Sequence, residues 1–287
     1  MKKPAKTTGL ASVRRRFDLT GRTVLITGGA GLLGTKHAEA VAEMGGIPVL
    51  LDVQADAAAR RAAEIAAAWK TRALGLACDV RRPESVTEAL KKVLAALGRV
   101  DALINNAANN PKVESGSASA SHWSRFESFP LRAWEEDVAV GLTGSFLCSQ
   151  VVGREMARRG RGVILNVASD LALIGPDQRI YRQPGLPDEQ QPCKPVTYSV
   201  VKAALIGLTR YLATYWAAQG VRVNAICPGG VQTSQDPDFV QRLTNLIPLR
   251  RMAAPDEYQA AVAFLLSDAS SYMTGSVLVI DGGRTCW

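Results

Sequence analysis

The sequence predicts an α/β protein with one doubly wound, parallel, seven-stranded sheet flanked by helices. Three features support this prediction. From about residue 22, short apolar runs rich in Val, Ile and Leu alternate with longer segments of helical periodicity. The runs lack alternation between apolar and polar residues, which is typical of strands covered on both faces. No linker or internal repeat divides residues 18–287, so these residues are expected to form a single domain.

Strands and helices can be placed in chain order from these patterns. The predicted strands are 23–27, 48–52, 73–77, 100–105, 163–168, 222–226 and 277–280. The predicted helices between them are 32–44, 55–69, 84–96, 132–158, 197–218 and 256–267. Two further stretches, 109–130 and 175–195, are rich in Ser or Pro and are predicted to be loop insertions. Both follow carboxyl ends of strands, where open α/β sheets bind ligands.

Composition narrows the possible functions. No apolar stretch reaches the roughly 18 residues that a membrane-spanning helix needs, so a membrane protein is not expected. The net charge is +8, but residues 1–17 hold six basic residues and no acid, which leaves +2 for the remainder. A disordered basic tail is therefore predicted, and nucleic-acid binding is not. Five scattered cysteines and only two histidines predict a cytoplasmic protein with reduced thiols and no metal site.

The first predicted strand ends in a glycine-rich turn at 27–34, and a helix is predicted to follow it. Glycines allow a close backbone approach, and the amino end of the helix presents N–H groups to a pyrophosphate. Asp52 ends the second strand, where it can bind the adenosine ribose and repel a 2′-phosphate, although it could also only cap the next helix. The turn predicts a Rossmann-type site for NAD. Its predicted pyrophosphate contacts are Gly28, Gly31, Leu32, Leu33 and Gly34.

Further candidate cofactor residues follow the third and fourth predicted strands. Asp79 and Val80 come after the third strand, and Asn106 and Ala107 come after the fourth. Because the carboxyl ends of parallel strands meet at one edge of the sheet, these residues are expected to flank the adenine and the ribose.

A tyrosine and a lysine four positions apart, Tyr198 and Lys202, open a predicted helix, and this spacing places them on one helix face. An adjacent cation favours the phenolate and lowers the pKa of tyrosine from about 10, so Tyr198 could shuttle a proton. Ser169 follows the fifth predicted strand, where its hydroxyl could hold a substrate oxygen. Ser169, Tyr198 and Lys202 are the predicted catalytic residues.

These motifs occur in an order that resembles the short-chain dehydrogenase/reductase family over roughly residues 18–283. The resemblance implies that Tyr198 is the general acid/base, that Ser169 orients the reacting oxygen, and that Lys202 binds the nicotinamide ribose. It also implies a homodimer or homotetramer formed through helices 132–158 and 197–218. The blocks that carry it are 27–34, 52, 79–80, 105–107, 166–169, 198–202, 228–229 and 281–283. Near the nicotinamide carboxamide it places Pro228, Gly229, Val231 and Thr233.

The sequence departs from this family in two places near the expected site. Gly141 stands where classical members usually carry an Asn that helps relay protons to the lysine. The spacing of Gly28, Gly31 and Gly34 is closer to that of the extended branch. The chain ends soon after 281–283, as classical members do, so a divergent classical member is predicted.

A third departure is the insertion that separates the predicted catalytic serine from the tyrosine by 29 positions. Its Arg179 and Arg182 are candidates for binding a substrate phosphate or carboxylate, and the alternative is that both are solvated loop residues. Segments 176–179 and 195–198 are similar to oxidoreductases of bacterial surface-glycan and flagellin-modification pathways. This similarity suggests a sugar or sugar-phosphate substrate.

The sequence therefore predicts an NAD-dependent oxidoreductase that transfers hydride between nicotinamide and a secondary alcohol or ketone on a small polar molecule. Reduction of a 3-oxoacyl or other lipophilic carbonyl is an alternative. A second alternative is a non-catalytic NAD-binding regulatory protein, which Gly141 motivates.

Overall fold

Seven parallel strands form one sheet in a computed structural model that describes residues 12–110, 113 and 121–287. The strands are β1 Thr23–Thr27, β2 Ile47–Asp52, β3 Leu74–Ala77, β4 Ala102–Asn105, β5 Gly162–Val167, β6 Val221–Pro228 and β7 Val277–Ile280. They lie in the order β3-β2-β1-β4-β5-β6-β7. The strand order reverses between β1 and β4, as in a Rossmann-type doubly wound sheet. The predicted fold class is confirmed.

Helices cover both faces of the sheet. They are α1 Val13–Arg16, α2 Leu32–Glu43, α3 Ala55–Trp69, α4 Pro83–Leu97, α5 Leu131–Val138, α6 Gly144–Arg158, α7 Val196–Tyr215, α8 Pro237–Thr244 and α9 Gln259–Leu266. The predicted helix 132–158 is divided into α5 and α6 by a π-helical turn at Ala139–Thr143. Helix α8 was not predicted from the sequence, although Asp236 before Pro237 is a helix-start signal.

Successive residues of β1 pack into two different hydrophobic clusters. Val24 and Ile26 lie in the cluster that includes residues of α2, α3 and α9. Leu25 lies in the cluster that includes residues of α4, α6 and α7. Every residue of β1 is buried, so apolar side chains are favoured on both faces of the strand. This burial explains why the predicted strands show no alternation between apolar and polar residues.

The insertion 175–195 is held together by its own hydrogen bonds. The Gln191 amide nitrogen donates to the carbonyls of Gln183 (3.0 Å) and Leu186 (2.7 Å), and its oxygen accepts the Gln183 N–H. The Tyr181 ring packs on Phe239 of α8, with ring centroids 5.4 Å apart. The insertion therefore lies against α8 beside the carboxyl end of the sheet.

Parts of the other two segments, the predicted basic tail and the insertion 109–130, lie outside the described residues. Residues 1–11 of the predicted basic tail, and 111–112 and 114–120 of the predicted insertion 109–130, are not described. In the described part of the tail, α1 forms one exposed helical turn, and the Phe17 ring packs on Phe264 with centroids 6.2 Å apart. This aromatic contact lies at the end of the segment, and the disorder of the basic tail stays a prediction.

Candidate active site

One cleft of about 1060 Å³ opens where β1 to β6 end. It is lined by every predicted catalytic and cofactor residue except Gly34, together with residues of the insertion and of the C-terminal segment. The predicted residues that line it are Gly28, Gly31, Leu32, Leu33, Asp52, Asp79, Val80, Asn106, Ala107, Ser169, Tyr198, Lys202, Pro228, Gly229, Val231 and Thr233. The structure thus brings the two predicted halves of the site together.

The glycine turn after β1 provides a cradle of backbone groups. Gly28 has φ +61°, and a Cβ there would lie 3.0 Å from the Ala107 Cα. A Cβ on Gly34 would lie 2.2 Å from the Gly28 carbonyl oxygen, so Gly34 is needed for packing of the turn and not for lining the cleft. Gly31 at the N-cap of α2 has no side chain to bond the first-turn N–H groups. These free donors fit a dinucleotide pyrophosphate.

Asn106 clamps this turn to the neighbouring strand. Its side-chain nitrogen donates to the carbonyls of Thr27 (2.9 Å) and Gly28 (3.2 Å). The Thr27 hydroxyl accepts the backbone N–H groups of Asn106 and Ala107, each at 3.0 Å. The Asn106 amide therefore holds the turn in shape, a role that the sequence analysis did not anticipate.

Two carboxylates mark the predicted adenosine end of the cleft. The half-buried Asp52 accepts the backbone N–H groups of Ala30 (3.1 Å) and Gln54 (3.0 Å), which ties the glycine turn to the end of β2. Asp79 accepts two hydrogen bonds from the Arg81 guanidinium, at 2.9 and 2.7 Å. These bonds hold the pKa of Asp79 below its ordinary value.

Among the predicted catalytic residues, Lys202 is buried and held by a hydrogen bond to the end of β5. Its buried ammonium donates to the Val167 carbonyl at the end of β5 over 2.7 Å and lies 5.9 Å from the Tyr198 ring centroid. Burial lowers the pKa of Lys202 to about 8. Ser169, two residues beyond Val167, accepts the Leu171 N–H at 3.2 Å and donates to an Asp170 oxygen at 2.7 Å.

Gly141, at the position of the usual Asn, is buried in the π-helical turn before α6. A Cβ on Gly141 would lie only 2.6 Å from a methyl group of Val201, the residue before Lys202. Larger side chains are therefore excluded unless Val201 moves. The Gly141 carbonyl accepts a hydrogen bond from the Ser145 hydroxyl at 2.7 Å. At Gly141 this turn therefore packs directly against Val201 of α7.

The structure does not bring Arg179 and Arg182 into the cleft. Arg179 is 84% exposed and pairs with Asp177 at 2.7 Å, and Arg182 pairs with Asp188. Neither residue lines the cleft. Each arginine is engaged by a carboxylate of its own loop, which the sequence analysis did not weigh.

Other residues of the insertion and the chain end line the cleft instead. Tyr181 and Lys194 of the insertion line the cleft. The Lys194 ammonium lies 4.1 Å from the Tyr198 ring centroid and donates to the Asn110 side-chain oxygen at 2.8 Å. Arg284, three residues after Asp281, also lines the cleft. No local pattern in the sequence distinguishes these residues from ordinary surface cations.

Two further findings concern membrane and metal sites. Within the described residues, no helix is long and apolar enough to cross a membrane. In the same part of the chain, no three His, Cys, Asp or Glu side chains gather as they would around a metal ion.

Comparison with known proteins gives consistent matches. A family model described as short chain dehydrogenase matches residues 22–181, and one described as enoyl-(acyl carrier protein) reductase matches 189–285. The chain is 35% identical over 279 residues to the D-threitol dehydrogenase of Mycolicibacterium smegmatis, covering 96% of each protein. It is 31% identical to the NAD-dependent glycerol dehydrogenase of Listeria innocua, covering 94% of this chain and 96% of that protein.

A solved structure agrees with these relatives. The gluconate 5-dehydrogenase of Burkholderia cenocepacia, in complex with NADP and tartrate, has a TM-score of 0.83 and 28% identity. The alignment covers 96% of this chain and all of that one. The fold and these matches define the class as oxidoreductases that use nicotinamide cofactors. The chain belongs to the short-chain dehydrogenase/reductase family.

The lowered pKa of Lys202 makes a stability prediction for the protein without cofactor. Between about pH 8, where folded Lys202 titrates, and its ordinary value of 10.5, the unfolded chain holds more protons at this position. The contribution of Lys202 to the free energy of unfolding therefore rises with pH over this window. In urea unfolding from pH 7 to 10, we expect Lys202→Met to lose this rise.

The exposed Lys92 of α4 provides the control, and Lys92→Met should follow the wild type at each pH. The free energy of unfolding of the wild type minus that of Lys202→Met should be constant well below pH 8 and should rise with pH above it. A difference that is the same at every pH would contradict the burial of a titrating ammonium.

Proposed function

We propose that this chain is an NAD-dependent oxidoreductase that transfers hydride between nicotinamide and a secondary alcohol or ketone of a polar, sugar-like molecule. The observation that carries the proposal is a single cleft lined by both the glycine turn and the group Ser169, Tyr198 and Lys202. The N–H groups of Leu32 and Leu33 would hold the pyrophosphate, and Asp52 would hold the adenosine ribose.

The residues of the chain divide the proton chemistry among them. A bound nicotinamide supplies the hydride acceptor or donor at its C4 position. In oxidation, Tyr198 accepts the proton of the substrate hydroxyl, and in reduction it returns a proton to the carbonyl oxygen. The Lys202 ammonium, fixed by the Val167 carbonyl, favours the phenolate of Tyr198. Ser169 holds the reacting oxygen beside the phenol.

Two relatives support a polyhydroxylated substrate, because their names describe dehydrogenases of threitol and glycerol. The cleft of this chain supports the same class, since Lys194 lines it beside the Tyr198 ring and Arg284 lines it beside Asp170. These charged groups suit oxygen-rich molecules better than the acyl chain of a lipophilic carbonyl, which was the alternative substrate.

Discrimination against NADP is proposed to depend on Asp52. The NAD-dependent glycerol dehydrogenase supports NAD, whereas the gluconate 5-dehydrogenase structure holds NADP. In this chain the carboxylate of Asp52 lines the cleft and accepts the N–H of Ala30, whose methyl side chain has no charge to offer a 2′-phosphate. A phosphate placed beside this carboxylate would be repelled.

A homodimer or homotetramer is also proposed, supported by apolar surface on α6 and α7. Phe146 of α6 is exposed, as are Tyr211 and Tyr215 of α7, whose rings stack with centroids 5.8 Å apart. An exposed aromatic pair on a long helix suits burial against a second copy. We place the protein in the cytoplasm, which its five unpaired cysteines support.

Asp52→Asn should change the cofactor preference. The substitution removes the negative charge and keeps the size of the side chain, so NADPH binding should improve relative to NADH by about tenfold, the effect of roughly 1.4 kcal/mol. Fluorescence titration with each reduced nucleotide gives the two dissociation constants. Asp56→Asn, an exposed acid in the first turn of α3, is the control and should leave the ratio unchanged. Preference for NADPH in the wild type would contradict the role of Asp52.

The catalytic proposal is tested by turnover with NAD and a panel of polyols, sugars and sugar phosphates. Tyr198→Phe should lower kcat by about 10²- to 10⁴-fold, the usual effect of losing a general acid/base, while NADH still binds. Tyr272→Phe, at a fully exposed tyrosine, should retain full activity. Unchanged turnover in Tyr198→Phe would contradict the mechanism. Nucleotide binding without turnover across the panel would favour the non-catalytic alternative.

A further inference from the structure

A buried ion pair lies in the cleft beside Ser169 and has no part in the mechanism proposed above. The Arg284 guanidinium donates to the Asp170 carboxylate at 2.8 Å, and the side chains are only 6% and 4% exposed. The partners lie 114 positions apart in the chain. A buried pair of this kind carries a desolvation cost, so its presence in a ligand cleft calls for an explanation beyond stability.

Asp170 holds its neighbours with both carboxylate oxygens. Oδ1 accepts the Ser169 hydroxyl at 2.7 Å and the Leu171 backbone N–H at 2.8 Å. Oδ2 accepts the Arg284 Nη1 donor. The carboxylate therefore fixes the guanidinium relative to the hydroxyl of Ser169, with a single carboxylate group between them.

Arg284 retains donors for a ligand. A guanidinium has five N–H donors, and within the described residues its one hydrogen-bond acceptor is Asp170. None of its nitrogen atoms is both fully buried and unbonded, and the residue lines the cleft. The remaining donors can therefore be reached from the same space that Ser169 and Tyr198 line.

The charge of the pair indicates which oxygen these donors would bind. Asp170 already neutralises the guanidinium, so the ion pair carries no net charge that would attract a carboxylate of the substrate. An uncharged hydroxyl or carbonyl oxygen needs only a donor. Tyr181 and Phe239, whose rings pack on each other, also line the cleft, and aromatic rings suit the carbon skeleton of such a molecule.

We infer that Arg284 is a specificity-determining residue that donates a hydrogen bond to an uncharged second oxygen of the substrate, next to the reacting carbon. Asp170 is the positioning residue that holds it there. The site thereby selects alcohols that carry a neighbouring hydroxyl over alcohols that lack one. The inference rests on the proposed function, because it assumes that an alcohol reacts between Ser169 and Tyr198.

The test compares butane-2,3-diol with butan-2-ol, which differ by the one hydroxyl in question. The double variant Asp170→Asn/Arg284→Met removes the pair without leaving a buried charge alone, and Asn still offers an oxygen to Ser169. Glu64→Gln/Arg61→Met, an exposed ion pair on α3, is the matched control. For each protein, kcat/KM is measured with NAD and both alcohols, and NADH binding verifies that the protein is folded.

We expect the wild type to prefer the diol by about tenfold or more in kcat/KM. With butan-2-ol a buried Arg284 donor is left unpaired, which weakens binding of the transition state. The double variant should lose most of this preference, whatever the fall in its absolute rates, and the control pair should keep it. Arg284→Lys, which keeps the charge opposite Asp170 but loses the planar fork, should give an intermediate ratio. This single variant also serves if the double variant does not fold.

Three results would overturn the inference. An equal fall for both alcohols would show that the pair acts through Ser169 alone. A preference for 3-hydroxybutanoate over the diol that disappears in the double variant would show that the second oxygen is charged. Turnover of neither alcohol by the wild type, together with inactivity on the polyol panel, would instead remove the proposed function and this inference with it.

Discussion

The rest of the site depends on the hydrogen bond that the buried Lys202 ammonium donates to the Val167 carbonyl. A buried cation is costly unless it is hydrogen-bonded, and here the acceptor is the Val167 carbonyl at the end of β5. The contact fixes α7 against the carboxyl end of the sheet. The position of α7 in turn determines the position of Tyr198 and brings Val201 against Gly141. A side chain at position 141 would therefore clash with Val201 unless Val201 moved.

Buried side-chain amides hold the strands beneath this contact in one arrangement. Asn105 of β4 donates to Ser149 of α6 (3.0 Å) and to Asn166 of β5 (2.8 Å), and Asn166 donates to Thr209 of α7 (2.8 Å). These polar groups connect two strands with the helices on the same face. A shift of register would leave them unpaired in the core, so the carboxyl ends of β4 and β5 meet where the site requires them.

Local patterns predicted most of the fold and a set of residues that the structure gathers in one cleft, because strands, glycine turns and the Tyr198–Lys202 spacing depend on residues close together in the sequence. The π-helical turn and the close packing of Gly141 on Val201 could not be predicted, since they depend on how two helices meet. Arg284 was missed because its partner is remote in sequence. Arg179 does not line the cleft, and its pairing with Asp177 within the insertion could not be predicted from local patterns.

We propose that hydride passes directly between substrate and nicotinamide within one cleft. An alcohol of the active class, deuterated on the reacting carbon, would be oxidised with NAD in ordinary water, and the NADH would be analysed by NMR. Direct transfer predicts one deuterium at C4 of the nicotinamide, on a single face of the ring, for each alcohol oxidised. NADH that carries only hydrogen from water, or deuterium on both faces, would contradict direct transfer in an ordered site.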